Sequence, residues 1–269
     1  MKYLFLPFTL TLFVLQGCSQ QTPLPQYQAT VVNTTNTQDS TMSSDTDTFE
    51  DEFSENETSV PLSDPLNGYN TLMTSFNDGV ITYALNPISE VYGYILPQPL
   101  RIGVSNAIKN IQFPVRFVNN LLQGKVRNAT DEFARFVFNS TLGLGGLIDI
   151  STNQIHISAH KEDFGQTLGY YGIGSGYHVV LPFFGPSNVR DIVGISVDAY
   201  ASPLVNVRGL ENYKIPNNFA ESTAIVVGYS INKNSLQLGQ YESLKKDAID
   251  LYPFLRDIYE QKRSAEIAE

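Results

Sequence analysis

A single cysteine, Cys18, and three histidines, His156, His160 and His178, are all that 269 residues offer of the side chains most used in thiol and metal chemistry. One thiol excludes a disulfide within the chain. His156 and His160, followed by Glu162 and Asp163, share a metal-like spacing that needs a helix to bring both imidazoles to one face. The local Asn153-Gln-Ile-His-Ile-Ser run does not suit a helix and lacks the HExxH form, so these read as surface histidines. No GxSxG nucleophile motif occurs. The glycines of Thr141-Leu-Gly-Leu-Gly-Gly-Leu147 follow a helical pattern, match neither phosphate-loop spacing and have no lysine beside them, which excludes a nucleotide loop. The composition therefore implies no cofactor and no catalytic apparatus. Arg135, Asp149, Asp163, Arg190, Asp191 and Asp198 read as structural ion pairs.

Basic residues are also scarce, 17 against 27 acidic ones for a net charge of −10. With no basic patch or interleaved aromatic stripe, nucleic acid is excluded as a partner. The acidity is concentrated. Residues 19–63 hold eight carboxylates, from Asp39 to Glu57, and no lysine or arginine, amid Gln, Thr, Ser and Asn. Such a stretch cannot bury enough apolar surface to offset its ordering entropy, so residues 18–63 are predicted to form a disordered tether.

What precedes it explains the lone thiol. After Lys2, residues 4–15 are apolar except for two threonines and end at Gln16-Gly17-Cys18. This reads as a signal peptide over residues 1–17, too short to span a bilayer. Leu15-Gln16-Gly17-Cys18 resembles a bacterial lipobox, in which the thiol takes a diacylglyceryl group before cleavage. Gln16 departs from the small or β-branched residue usual there. Each buried CH2 of an acyl chain is worth about 0.8 kcal/mol, so two or three chains anchor firmly where one does not. Ser19, where an aspartate is absent, resembles the pattern sorted to the outer membrane.

From Asp64 the pattern turns helical. Leu66, Tyr69, Leu72, Met73, Phe76, Val80, Tyr83 and Ala84 share one arc of a helical wheel. The opposite face carries Asn67, Asn70, Thr71, Thr74, Ser75, Asn77 and Thr82 with only Asp78 charged, an unusual surface for a helix in water. Prolines announce further helices at Pro87, Pro99 and Pro114, and residues 126–137 form another. Charge is segregated, with five charged residues in 64–114 and twelve in 241–269. A protein partly in a membrane and partly in water distributes its charges in this way. Nine of the nineteen glycines fall between Asn139 and Gly185, and the uncharged run from Phe164 to Val189 contains too many glycines and prolines for a spanning helix. Tight turns and one extended piece, His178 to Phe184, are expected there, with a helix beginning near Ser187.

Several long motifs then carry a resemblance. Asp64-Pro-Leu-Asn-Gly-Tyr-Asn70, Phe76-Asn77, Val118-Asn-Asn-Leu-Leu-Gln-Gly-Lys125, Arg135-Phe-Val-Phe-Asn-Ser-Thr-Leu-Gly-Leu-Gly-Gly-Leu-Ile-Asp149, Glu162-Asp-Phe-Gly-Gln-Thr-Leu-Gly169 and Leu181-Pro-Phe-Phe-Gly-Pro-Ser-Asn-Val-Arg-Asp191 resemble the MlaA (VacJ) family of outer-membrane lipoproteins. A weaker match covers Asp250 to Tyr259. Tyr171 stands where the family usually has Trp, and Asn67 where Glu is common.

The resemblance implies a mainly α, ring-like helical domain over residues 64–263, with a short tail at 264–269. It would be lodged in the outer membrane of a Gram-negative bacterium and anchored through Cys18. It implies an amphipathic channel through which mislocalised phospholipids leave the outer leaflet for a periplasmic carrier protein, beside a trimeric porin and without enzymatic chemistry. On this reading Asn70, Thr74 and Asn77 face the channel, while Tyr69 and Phe76 face apolar packing or lipid. The Phe76-Asn77 region would help control which leaflet the channel meets. Gly143, Gly145 and Gly146 would act as pivots or close-packing points of a mobile loop, and the charged segment 241–263 would face the periplasm. A lipid-tethered periplasmic scaffold without a channel, or a lipid hydrolase, are the other classes that the tether and composition allow.

Overall fold

Proline and short polar caps decide where the helices begin. The computed structural model describes residues 64–269; Cys18, the signal segment 1–17 and the tether 18–63 lie outside the described residues. Asp64 accepts a hydrogen bond from the Leu66 amide ahead of α1, Asn67–Val80. A five-residue π-turn, Ile81–Leu85, joins α1 to α2, Asn86–Ile95, with the backbone helical throughout. Prolines sit in the first two positions of α2, of α3 (Gln98–Ile111) and of α4 (Phe113–Leu122). At α3 and α4 the missing amide hydrogen costs nothing and the fixed φ suits a helix start, whereas Pro87 falls inside a continuous helical run and interrupts its hydrogen bonding beside the π-turn. Next comes α5, Val126–Thr141, then a π-turn at Ser151–Ile155.

Side-chain caps take over in the second half. Asp163, Asn188, Asn218 and Asp250 each accept an amide hydrogen from the first turn of α6 (Phe164–Tyr170), α7 (Val189–Ala201), α8 (Phe219–Ser235) and α10 (Leu251–Ala268). The short α9, Gln240–Lys246, precedes α10. Between α6 and α7 lies a hairpin of β1, His178–Leu181, and β2, Gly185–Asn188, with His178 opposite Asn188 and Leu181 opposite Gly185.

The hairpin corrects one expectation, since the extended piece at 178 pairs with a second strand before α7 begins at Val189. Gly185 turns the chain at φ 84°, a conformation glycine adopts without strain. The C-terminal boundary also moves. Residues 264–269 are not a separate tail, because α10 continues to Ala268, with Glu266 held by Arg263 at 3.0 Å.

Packing runs in a circuit. Helix α1 lies against β1 and α10, α10 against α6, α6 against α7 and α4, and α4 against α5. From there α5 meets α3, α3 meets α8, and α8 meets α2, which returns through the π-turn to α1. At the α6–α7 crossing two glycines let backbones touch: a Cβ on Gly194 would stand 2.5 Å from the Gly165 nitrogen.

The distribution of polarity is the reverse of a water-soluble domain. Among the described residues the buried apolar side chains are Ala129, Ile150, Val180, Leu204 and Tyr252, five against twenty-six buried polar or charged ones. The large apolar residues are outside. Tyr83, Ile88, Val91 and Tyr94, with Ile95 next to it, form an exposed stripe along the π-turn and α2, with Tyr94 93% exposed. Comparable rows occur on α4 (Val118, Leu121, Leu122) and α7 (Val189, Val193, Val197). Scattered apolar residues on a surface are ordinary, but contiguous rows of this kind mark a surface meant to be covered. No described helix is long and apolar enough to cross a membrane.

Candidate functional site: a polar interior behind an apolar exterior

The polar face of α1 is turned inward, onto the hairpin. Asn70, fully buried, donates from Nδ2 to the His178 carbonyl at 3.0 Å, and its Oδ1 accepts from the Val180 amide at 2.9 Å. Two helical turns on, Asn77 repeats the arrangement, with Nδ2 donating to the Leu181 carbonyl at 2.9 Å and Oδ1 accepting from the Phe183 amide at 2.7 Å. Each carboxamide thus offers a donor and an acceptor where a neighbouring strand would, closing an edge that would otherwise be open. The spacing fits: seven helical residues rise about 10.5 Å, and three strand residues about 10 Å. Thr74 lies between them, also buried.

These contacts correct the assignment of Asn70, Thr74 and Asn77 to a passage wall. Both asparagines are engaged by backbone groups of the hairpin, because an apolar bed could not satisfy the outer edge of β1. Tyr69 and Phe76 do face outward, and Phe76 meets the edge of Phe183 with ring centroids 5.2 Å apart. Tyr252, from α10, extends the clasp by donating to Asp64 and meeting Asn70 Nδ2 at 3.0 Å. Burial, then the Asp64 bond, pushes its phenol up to about 12.

Further round the circuit, carboxylates and amides link neighbouring helices. Asn119 donates to Asp198 at 2.8 Å and accepts from the Thr167 hydroxyl at 2.9 Å; Gln123 and Lys125 both donate to Glu162 at 2.7 Å. Burial raises the Asp198 carboxyl above the ordinary aspartate value, against the opposing bond from the Phe164 amide. Arg263 of α10 reaches Asp163 and Asp191 at 2.9 Å. Burial alone would raise Asp191, but hydrogen bonds from Arg263 and Tyr259 outweigh it and hold that carboxyl below its usual range. On the far side, Asn232 of α8 accepts from Tyr92 of α2 and donates to the Arg101 carbonyl of α3, each at 3.0 Å.

Most of the expected ion pairs are present. Arg135 meets Asp149 at 3.0 Å, Arg190 meets Asp191 at 3.2 Å and Asp163 pairs with Arg263, whereas Asp198 has no cation partner among the described residues and is held by Asn119 and the Phe164 amide instead. Glu132 and Arg263, absent from that reading, are equally central: Glu132 is fully buried, binding Arg116 at 2.6 Å and the His160 amide at 2.7 Å. Their signal was faint, since nothing near either residue forms a motif. His156 closes the second π-turn in a left-handed conformation, while His160 faces Asp131 at 3.2 Å. Among the described residues no group of three or more metal-binding side chains gathers.

The glycine loop is firmly held. The Gly145 amide donates to the Ser140 carbonyl, that of Gly146 to Asn139, and that of Ile148 to Gly143. A Cβ on Gly143 would come within 2.2 Å of the Ile148 carbonyl, and one on Gly146 within 2.6 Å of Asn110. These two are close-packing points. Gly145, at φ 72°, has open space around it, and Leu142, Leu144, Leu147 and Ile148 project from the loop.

Beside this loop is a polar recess of about 40 Å³, lined by Asn106, Lys109, Asn110, Arg116, Arg135, Asn139 and Asp149.

A helical circuit with hydrogen-bonding groups inside and rows of apolar side chains outside defines a class: helical proteins with a polar, hydrogen-bonded interior and an outward apolar surface. The comparisons give that class a family. The profile of the MlaA lipoprotein family matches residues 62–266, and the chain belongs to this family. The chain is 40% identical over 140 residues to the intermembrane phospholipid transport system lipoprotein MlaA of Shigella flexneri, covering 51% of this chain and 56% of that protein. For its counterpart in Escherichia coli (strain K12) the identity is 39% over 141 residues, with the same coverage. The chain thus spans somewhat more than half the length of these curated relatives. An uncharacterised protein of Rickettsia bellii is 29% identical over 205 residues, 76% of each chain. A solved structure reported as the structural basis for maintenance of bacterial outer membrane lipid asymmetry superposes with a TM-score of 0.64 at 31% identity. It covers 76% of this chain and 99% of that one.

Proposed function

We propose that this protein is an outer-membrane lipoprotein that takes mislocalised phospholipids out of the outer leaflet through an amphipathic passage. It would release them to a periplasmic carrier, working beside a trimeric porin and breaking no bond. The observation that carries this reading is the inverted polarity of the helical circuit in a member of the MlaA family. Acyl tails lose nothing by staying against apolar side chains such as those of α2 and α4. A headgroup crossing the hydrocarbon layer needs hydrogen-bond partners, since an unpaired polar group there costs several kcal/mol. Amides and hydroxyls supply bonds that are readily exchanged, whereas a dense row of fixed charges would hold the headgroup.

The test has two arms. Cells lacking the gene should accumulate phospholipid at the surface, read with a membrane-impermeant amine label, and the full chain should reverse this. A Cys18→Ser variant with a working export signal should remain in washed membranes through its apolar exterior. Clean release into the soluble fraction would favour the tethered scaffold, and free fatty acid from incubated phospholipid would favour the hydrolase.

A further inference from the structure

The recess beside the glycine loop is lined by three cations and one carboxylate. Arg263 between Asp163 and Asp191, and Lys125 on Glu162, are matched ions elsewhere in the interior. In the recess Arg116 is matched by Glu132 at 2.6 Å and Arg135 by Asp149 at 3.0 Å. Asp149, the one acidic side chain of the lining, is further engaged by Asn139 and Thr152. Lys109 remains. Among the described residues no hydrogen bond or ion pair engages its ammonium; at longer range Lys161 repels it and Asp149 attracts it. As a last-turn lysine, Lys109 also complements the C-terminal end of the α3 dipole.

We propose that this recess is a station for the phosphate of a phospholipid headgroup, with Lys109 as its principal cation and the Asn106 amide beside it; the assignment rests on the transport reading above. The volume admits a terminal group and no more, since pockets that enclose a whole ligand measure roughly 300–1,000 Å³. A phosphodiester brings one negative charge and acceptor oxygens to an unmatched ammonium, a charge-assisted pairing about twice as strong as a neutral one. The neighbouring loop exposes Leu144 and Leu147, apolar side chains of the kind that would cover the start of an acyl chain. Because no carboxylate among the described residues is paired with the Lys109 ammonium, a phosphate held there need displace none.

The experiment measures binding to the full chain in detergent micelles, using dioleoylphosphatidylglycerol, the phosphate-free dioleoylglycerol, glycerol 3-phosphate and inorganic phosphate. The wild type should bind the phospholipid and not dioleoylglycerol. Lys109→Gln should weaken that binding about tenfold, and Lys109→Arg should restore it to within about threefold. Lys109 is exposed, so Lys109→Gln should melt at the wild-type temperature, which separates loss of binding from loss of fold. Wild-type binding by Lys109→Gln would overturn the station and leave the transport reading standing. Binding of inorganic phosphate or glycerol 3-phosphate that the phospholipid does not compete would show a free-anion site instead. A wild type that binds no phospholipid would overturn both.

Discussion

The clasp between α1 and the hairpin can be tested by replacing one carboxamide at a time. Asn70→Ala removes the donor to the His178 carbonyl, the acceptor for the Val180 amide and the contact with Tyr252, at a site with no solvent access. Two backbone groups on the outer edge of β1 would then be buried without partners, at roughly 1–3 kcal/mol each, so the expected loss is about 3–5 kcal/mol. For a domain of this size 1 kcal/mol corresponds to about 2–4 °C, giving a melting temperature lower by roughly 10 °C. Asn77→Ala removes a comparable pair of bonds, but next to Phe183, which is 72% exposed. There water can replace the amide, and the cost should stay near 1 kcal/mol. Asn70→Asp keeps the acceptor, loses the donor and adds a charge beside Asp64, so it should not rescue. The chain has no tryptophan and fifteen tyrosines, so near-ultraviolet tyrosine dichroism in detergent follows the transition. If Asn70→Ala melts within 2 °C of the wild type, or Asn77→Ala proves the costlier, the strand-edge argument is wrong.

Asp191 supplies a pH prediction. Its folded-state pKa lies below the ordinary 3.8, so its contribution is present above that value and is lost as pH falls through the folded one. Stability should fall on acidification below about pH 4. Asp191→Asn should cost roughly 1–3 kcal/mol at pH 7 by removing the charged acceptor of Arg263 and Tyr259, while Arg263 keeps Asp163 and Glu266, and should flatten the acid limb of the curve. At the α6–α7 crossing, Gly194→Ala should lower the melting point by at least as much as an overpacked core, about 1–3 kcal/mol, since backbone stands in the way. On the exterior, Ile88→Asp with Ile95→Asp in a Cys18→Ser background should release the protein from carbonate-washed membranes. Each buried aspartate costs up to about 3 kcal/mol at mid-bilayer, and retention equal to the parent would count against embedding.

Much of the helical order was legible because its signals are local. Pro87, Pro99 and Pro114 stand in the first two positions of α2, α3 and α4. The two-faced character of residues 66–84 was legible as well, but not the direction in which each face points. That depends on a hairpin a hundred residues away, and no local pattern announces that Asn70 and Asn77 match the rise of β1. The hairpin itself escaped notice because Pro186 and Gly185 disguise its second strand. Helix α6 was hidden by Gly165 and Gly169 in a seven-residue span, though the Asp163 cap was a usable sign. Arg263 and Lys109 carry no motif. Their roles come from what surrounds them in space.

Few apolar side chains are fully buried among the described residues, and many stand outward. On the transport reading proposed above a bilayer would cover those outward rows, which would make its thickness and acyl composition thermodynamic variables of the protein itself. A thinner membrane would leave outward rows such as that of α2 partly wetted and shift the fold's midpoint, as hydrophobic mismatch does for longer segments. The denaturant slope measured in micelles should accordingly be shallow for a domain of this length.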